Sequence, residues 1–246
     1  MRHVSPRFAA AFSAACLVAT QAHAWWNEDR VVGDGKKVTQ TREVPGSFDS
    51  VATRGSIDAR VKVGPAPSIS VTIDGNLQQY VKLRVDGSRL VIEEEKNVNM
   101  SYHGDGYVTI TLPALRKAST GGSGDITIEG SSGGDLQLST SGSGDLRWQG
   151  EARKLEVSTS GSGNAILSGK AASLDASTSG SGDLRGDDLT VTGDAEISTS
   201  GSGDAEIRMS GGSLHARTSG SGDVVYRGDA RTVDARTSGS GSVMKK

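Results

Sequence analysis

STSGSGD stands at residues 139–145 and returns unchanged at 177–183 and 198–204. Aligned on its last position, the motif runs STGGSGD to Asp125, STSGSGD to Asp145, STSGSGN to Asn164, STSGSGD to Asp183 and again to Asp204, RTSGSGD to Asp223 and RTSGSGS to Ser242. The intervals are 20, 19, 19, 21, 19 and 19 residues. SSGGD, ending at Asp135, falls halfway between the first two. Gly supplies 34 of the 246 residues, about twice its usual share of roughly 7%, a composition that suits disorder as well as a repeat. The steady period decides for the repeat, and stacked repeats of this length make a solenoid.

Apolar residues alternate with polar ones inside each unit, the two-residue period of a strand with one buried face. Before the glycines, Leu155 and Val157, Leu174 and Ala176, Ala195 and Ile197, Leu214 and Ala216, and Val233 and Ala235 share a parity with Thr159, Thr178, Thr199, Thr218 and Thr237. The threonines are therefore expected inside and the flanking serines outside, where Arg217 and Arg236 replace Ser. After the glycines, Ile126 and Ile128, Leu136 and Leu138, Leu146 and Trp148, Ala205, Ile207 and Met209, and Val224 and Tyr226 are expected to point inward. Each unit reads strand, tight glycine turn, strand and a looser return such as QGEARK or SGKAAS. Stacked, such units form an all-β parallel β-helix of 19–21 residues per coil over residues 119–246, with coils ~4.8 Å apart. Gly is expected for backbone angles closed to other residues and for close seating of one coil on the next. Inward Thr is expected to bond its neighbours above and below.

The chain opens MRHVSPRFAAAFSAACLVATQAHAWW, where Arg2, His3 and Arg7 precede an apolar run from Phe8 to Ala19 and small residues at Ala22 and Ala24. That is the order of a secretory signal peptide over residues 1–24; the apolar run falls short of the roughly 18 residues of a spanning helix. Cys16, the one cysteine, lies within it, and Ser13 stands where a lipidation signal needs Leu. The remaining 222 residues, 25–246, hold no cysteine, so neither disulfides nor thiolate metal sites are expected. Without Arg2 and Arg7, the 27 basic side chains fall to 25 against 29 acidic ones, spread along the chain. Nothing in that balance suits nucleic acid or an anionic membrane surface.

Residues 38–118 lack the glycine motif but keep the alternation, with breaks at Pro45-Gly46, Gly64-Pro65, Asp74-Gly75, Asp86-Gly87 and Pro113 and no helical period. They read as irregular first coils of one solenoid domain over 25–246 or as a separate sandwich, the solenoid preferred because no linker divides the halves. NVNMSYHGDG, 97–106, reads as the longest loop. The order VPGSFDSVATRGSIDARVKVGPAPSISVTIDGNLQQYVKLRVDGSRLVIEEE, followed by GSG-centred repeats, resembles the bacterial family of auto-transporter adhesins with a head GIN domain, over roughly residues 44–240. The Phe48 and Val51 pair, GSIDARVKVG and the repeated GSGD carry that resemblance. It implies a right-handed β-helix, export from a bacterium to the periplasm or cell surface, an adhesive role and no catalytic site.

The aspartates Asp125, Asp145, Asp183, Asp204 and Asp223 would form a column along the solenoid. Turn capping, a cation ladder and catalysis are the three readings. Adjacent carboxylates would sit near the ~5–5.5 Å of a retaining glycosidase pair, but every β-helix column has that spacing, and no acid, base and electrophile gather at one level. Calcium rolls need 6–8 oxygens per ion, against one carboxylate per coil, and Asn164 and Ser242 interrupt the column. Ser158, Ser177 and Ser198 beside Ser160, Ser179, Ser200, Ser219 and Ser238 would make a flat hydroxyl face, either simply hydrated or glycan-binding. His103 and His215 read as isolated surface histidines, and Trp25 and Trp26 as an end cap. The expectation is an exported, non-enzymatic solenoid without cofactor that meets glycans, envelope components or its own copies through faces or ends. A polysaccharide-active β-helix enzyme and a structural periplasmic protein are the alternatives.

Overall fold

A computed structural model describes residues 29–44, 46–130 and 133–246. The expected signal peptide over residues 1–24, Cys16 within it and the Trp25-Trp26 pair lie outside them. The described chain is a β-solenoid of about 7 turns, and its buried side chains form one continuous cluster from Val51 to Val224.

In the repeat region two ladders of parallel strands flank the glycine corners. The ladder before the corners runs in register Thr120↔Thr140, Thr140↔Thr159, Thr159↔Thr178, Thr178↔Thr199, Thr199↔Thr218 and Thr218↔Thr237. The ladder after them stacks Ile126, Leu146, Ala165, Leu184, Ala205, Val224 and Val243. The inward parity holds: Leu155, Val157, Leu174, Ala176, Ile197, Leu214 and Trp148 are all buried, as are the threonines from Thr120 to Thr218. Val233, Ala235 and Thr237 share the parity but stand exposed, because they lie on the outermost coil.

Several expectations need correction. Leu136–Thr140 belongs to the ladder before the corners, pairing with Lys117–Thr120 and with Leu155. Gly133, Gly134 and Asp135, half a period out of phase, therefore lie on the return side of their coil, outside the GSGD column. The returns are also less loose than expected. Leu146–Thr159 and Ala165–Thr178 run through QGEARK and SGKAAS as single strands, with Gly150↔Gly169 and Glu151↔Lys170 still in register. Two successive coils of equal length can bend together without breaking their ladder. Where the next coil is longer, the register slips between Ile166 and Ser168.

The glycines earn their place through closeness rather than backbone angle. None of the paired corner glycines from Gly122 to Gly241 has a positive φ. A Cβ on Gly142, however, would lie 2.0 Å from the Gly122 carbonyl oxygen, so corners can stack only without side chains. The inward threonines likewise act within a coil. The Thr120, Thr140 and Thr218 hydroxyls donate to the carbonyls of Gly124, Gly144 and Gly222 at 2.8, 3.0 and 2.9 Å. That carbonyl, four residues on, closes the same corner and is nearer than the next coil. The hydroxyls of Thr53, Thr159, Thr178 and Thr199 have no hydrogen-bond partner.

The N-terminal strands join the same sheet in an order different from the chain. Ser50–Arg54 lies between Arg89–Glu94 and Lys117–Thr120, and Asp58–Val63 between Tyr107–Leu112 and Ile126–Glu129, all parallel. The coil of residues 50–63 thus sits inside the stack, with residues 89–112 below it and the repeats above. Antiparallel strands close the lower end: Ser68–Asp74 pairs with Tyr107–Leu112 and with Lys37–Arg42, and Val81–Asp86 with Arg89–Glu94. The expected loop 97–106 contains the strand Val98–Ser101, which Asp29–Val32 joins as a parallel partner. Its apolar face is only two residues long, Val98 and the buried Met100, which pack on the core together with Val31. Among the described residues one 3-10 helix, Gly75–Tyr80, interrupts the strands.

Candidate functional site: the aspartate column and the hydroxyl face

The corner aspartates are stitched to one another through backbone. The Asp145 N–H donates to Asp125 Oδ1 (2.8 Å), Asn164 N–H to Asp145 Oδ1 (2.9 Å) and Asp183 N–H to Asn164 Oδ1 (3.0 Å). Asp204 N–H donates to Asp183 Oδ1 (3.0 Å), Asp223 N–H to Asp204 Oδ1 (2.8 Å) and Ser242 N–H to Asp223 Oδ1 (2.8 Å). Each side chain caps the amide of the next coil. Asn164 takes the same place with an amide oxygen, so the column uses an acceptor and not a charge.

The sequence reading missed the column's first member. Asp58 Oδ1 accepts the Asp125 N–H at 2.8 Å, and TRGSID at 53–58 is a weakened copy of the TSGSGD repeat, with Thr53 in register under Thr120. Ile57 replaces the second glycine and is buried; the coil on its other side makes its corner through the longer excursion 95–106. Burial pushes the Asp58 carboxyl above its ordinary range; the Asp125 N–H opposes this, while the charges of Asp125 and Asp105 add to it.

The outer oxygens of the column are partly neutralised. Arg147 bridges Asp125 Oδ2 (2.7 Å) and Asp145 Oδ2 (2.8 Å), and its hydrogen bond to Asp125 raises the guanidinium pKa further. Arg185 meets Asp183 at 3.1 Å. Among the described residues no cation pairs with Asp204 or Asp223, and no three His, Cys, Asp or Glu side chains gather as a metal site. The geometry supports capping as the column's work.

The serine column faces solvent as expected: Ser160, Ser179, Ser200 and Ser219 are exposed. The hydroxyls of Ser160, Ser179 and Ser200 stand 3.5, 3.5 and 3.4 Å from the carbonyls of Thr140, Thr159 and Thr178, at the outer limit of a hydrogen bond. They remain available to a ligand. A shallow groove of about 400 Å³ runs along this face, lined by Ser177, Ser179, Ser198, Ser200, Arg217 and Arg236 among others. Arg217 is paired with Glu196 at 2.8 Å and Arg236 with Asp234 at 3.3 Å.

A second concavity of similar size is lined by Arg116, Asp135, Arg153, Lys154 and Glu156. Its charges are matched: Arg153 to Asp135 at 2.7 Å, Lys154 to Glu156, and Arg116 to Asp49 at 3.4 Å. Neither histidine is isolated. His215 Nδ1 lies 3.5 Å from Asp234. His103 lies beside Asp74, which is fully covered but shallow. Burial works to raise the Asp74 carboxyl, yet the His103 amide (3.1 Å) and imidazole (3.3 Å), with the Gly35 N–H, hold it below its ordinary range.

The sequence profile of the family described as "Putative auto-transporter adhesin, head GIN domain" matches residues 47–230. The chain belongs to this family. Its fold is shared with a putative adhesin from Bacteroides fragilis, at a TM-score of 0.81 and 22% identity, covering 88% of this chain and 100% of that one. A putative lipid binding protein from Parabacteroides distasonis gives 0.72 and 24%, covering 89% and 100%. A putative adhesin from the same organism gives 0.66 and 25%, covering 89% and 100%. No curated protein matches the chain in sequence.

Proposed function

We propose that this GIN-domain chain is an exported, non-enzymatic binding protein of the bacterial periplasm or cell surface, adhesin-like in action, that holds glycans or other envelope components against its serine face. The observation that carries this reading is the groove of Ser177, Ser179, Ser198 and Ser200 ending at Arg217 and Arg236. Its hydroxyls are exposed or half-exposed, they repeat at the coil spacing, and they stand on parallel strands paired in register up to Thr232–Thr237. A polyhydroxylated chain offers the matching alternation of donors and acceptors. The aspartates, by contrast, are occupied as caps, which argues against an acid and base pair among them.

A lipid reading has less support. The apolar crevice of Val44, Phe48, Pro67, Leu112 and Pro113 measures about 280 Å³, below the ~300–1,000 Å³ of ligand pockets.

The test is a glycan array probed with labelled protein. Binding should survive Asp204→Ala and fall at least ten-fold in Ser200→Trp, which fills the groove, with the unfolding midpoint unchanged. Cleavage of a polysaccharide that a single aspartate substitution abolishes would overturn the reading in favour of an enzyme.

A further inference from the structure

Among the described residues, Thr232–Thr237 is paired on one side only, with Ser213–Thr218. Leu214, Ala216 and Thr218 are 0, 0 and 2% exposed. Their register partners one coil on, Val233, Ala235 and Thr237, all stand exposed, Val233 at 42%. Beside them Met244 is 39% exposed. The backbone is open as well. Ser238 donates its N–H to the Thr218 carbonyl at 2.9 Å, and in a parallel ladder alternate residues turn both backbone groups to one side. Asp234, Arg236 and Ser238 therefore face the coil before them, while Val233, Ala235 and Thr237 aim amide and carbonyl off the end.

We propose that this rung is the interface of a homodimer, in which Thr232–Thr237 pairs antiparallel with the same strand of a second copy about Ala235. A two-fold interface must be complementary to itself, and TVDART is. With Ala235 opposite the second copy's Ala235, Val233 falls opposite Thr237 and Asp234 opposite Arg236. The residues whose backbone groups point off the end then meet as hydrogen-bonded pairs. Asp234 and Arg236 meet at the non-hydrogen-bonded positions, where side chains come closest. One register thus satisfies the free backbone, covers the exposed Val233 and Ala235, and places opposite charges together. Shifting it by one residue puts outward charges against the inward row. The pairing needs no glycan, and it meets the serine groove only at the groove's end, where Arg236 and Thr237 belong to both.

Sedimentation velocity on the full chain over micromolar to millimolar concentrations tests the proposal, with unfolding midpoints recorded for every variant. The unaltered chain should approach twice its monomer mass. Ala235→Pro removes an N–H that its own coil does not use, at an edge where Pro is tolerated, and should weaken the dimer at least ten-fold. Asp234→Arg and Arg236→Asp should each weaken it about ten-fold, and the double exchange should restore it. If Ala235→Pro fails to fold, the charge exchange decides. A monomer at all concentrations, a dimer indifferent to these changes, a double variant no better than the singles, or mass growing beyond the dimer in head-to-tail fashion would overturn the proposal.

Discussion

At the residue scale, the repeat is a set of solutions to one problem, the seating of a corner on an identical corner. Gly182 shows the constraint: a Cβ there would lie 2.0 Å from the Gly163 carbonyl oxygen. Gly182→Ala is predicted to lower the unfolding free energy by about 3 kcal/mol or more, since backbone on both sides leaves no room to relax. Exposed Ser181→Ala should stay within about 0.5 kcal/mol; urea titration compares them. The aspartates solve the second half of the problem by accepting the amide that the next corner leaves free. Asp145→Ala should cost about 1–2 kcal/mol, because the Asn164 N–H loses its acceptor. Asp145→Asn should cost less than half as much in the same titration, because Asn164 itself performs the role with an amide oxygen. The natural Asn was visible in the sequence as an interruption of a charge column; only the hydrogen bonds reveal it as an equal member.

At the element scale, what the sequence discloses depends on whether the information is local. Alternation such as Leu155, Val157, Thr159 fixes which face is buried, and the 19-residue interval fixes which residues stack, so both were legible. Strand direction and partner are not local properties. SISVTID and YVTITLP alternate as well as any repeat strand, yet Ser68–Asp74 and Tyr107–Leu112 pair antiparallel, and the coil of residues 50–63 is inserted between later ones. The half-period glycines of SSGGD misled for a related reason: composition marks a turn without saying on which side of the coil it lies. TRGSID was the missed signal, masked by Arg54 and Ile57 in place of Ser and Gly. The serine face was legible as a stripe, but not the groove that Arg217 and Arg236 close.

The lower end also carries a pH dependence. Asp74 is held below its ordinary carboxyl range in the folded chain, so its contribution to stability is complete above that range, near pH 4, and is lost as pH falls through the lowered value. Asp74→Asn should flatten the acid limb of a stability profile taken from about pH 7 to about pH 3. A limb unchanged by the substitution would assign acid sensitivity to other carboxyls.

At the scale of the whole molecule, a solenoid has sides and ends, and this one treats them differently. Its sides are regular, with hydroxyls and paired charges on a ladder that leaves little backbone free. Its lower end is closed by antiparallel strands, while its upper rung exposes Val233 and unpaired amides. Both proposed activities follow from that division, binding along the side and pairing at the end. All of it depends on in-register stacking of successive corners. Cysteine pairing reads that stacking most directly, in a Cys16→Ser background free of other thiols. With coils ~4.8 Å apart, Ser160→Cys with Ser179→Cys falls within the Cα separation that a disulfide accepts, whereas Ser160→Cys with Ser200→Cys lies two coils away, beyond about 7 Å. The account predicts rapid, near-complete oxidation of the first pair and none within the second; equal cross-linking of both, or of neither, would contradict it.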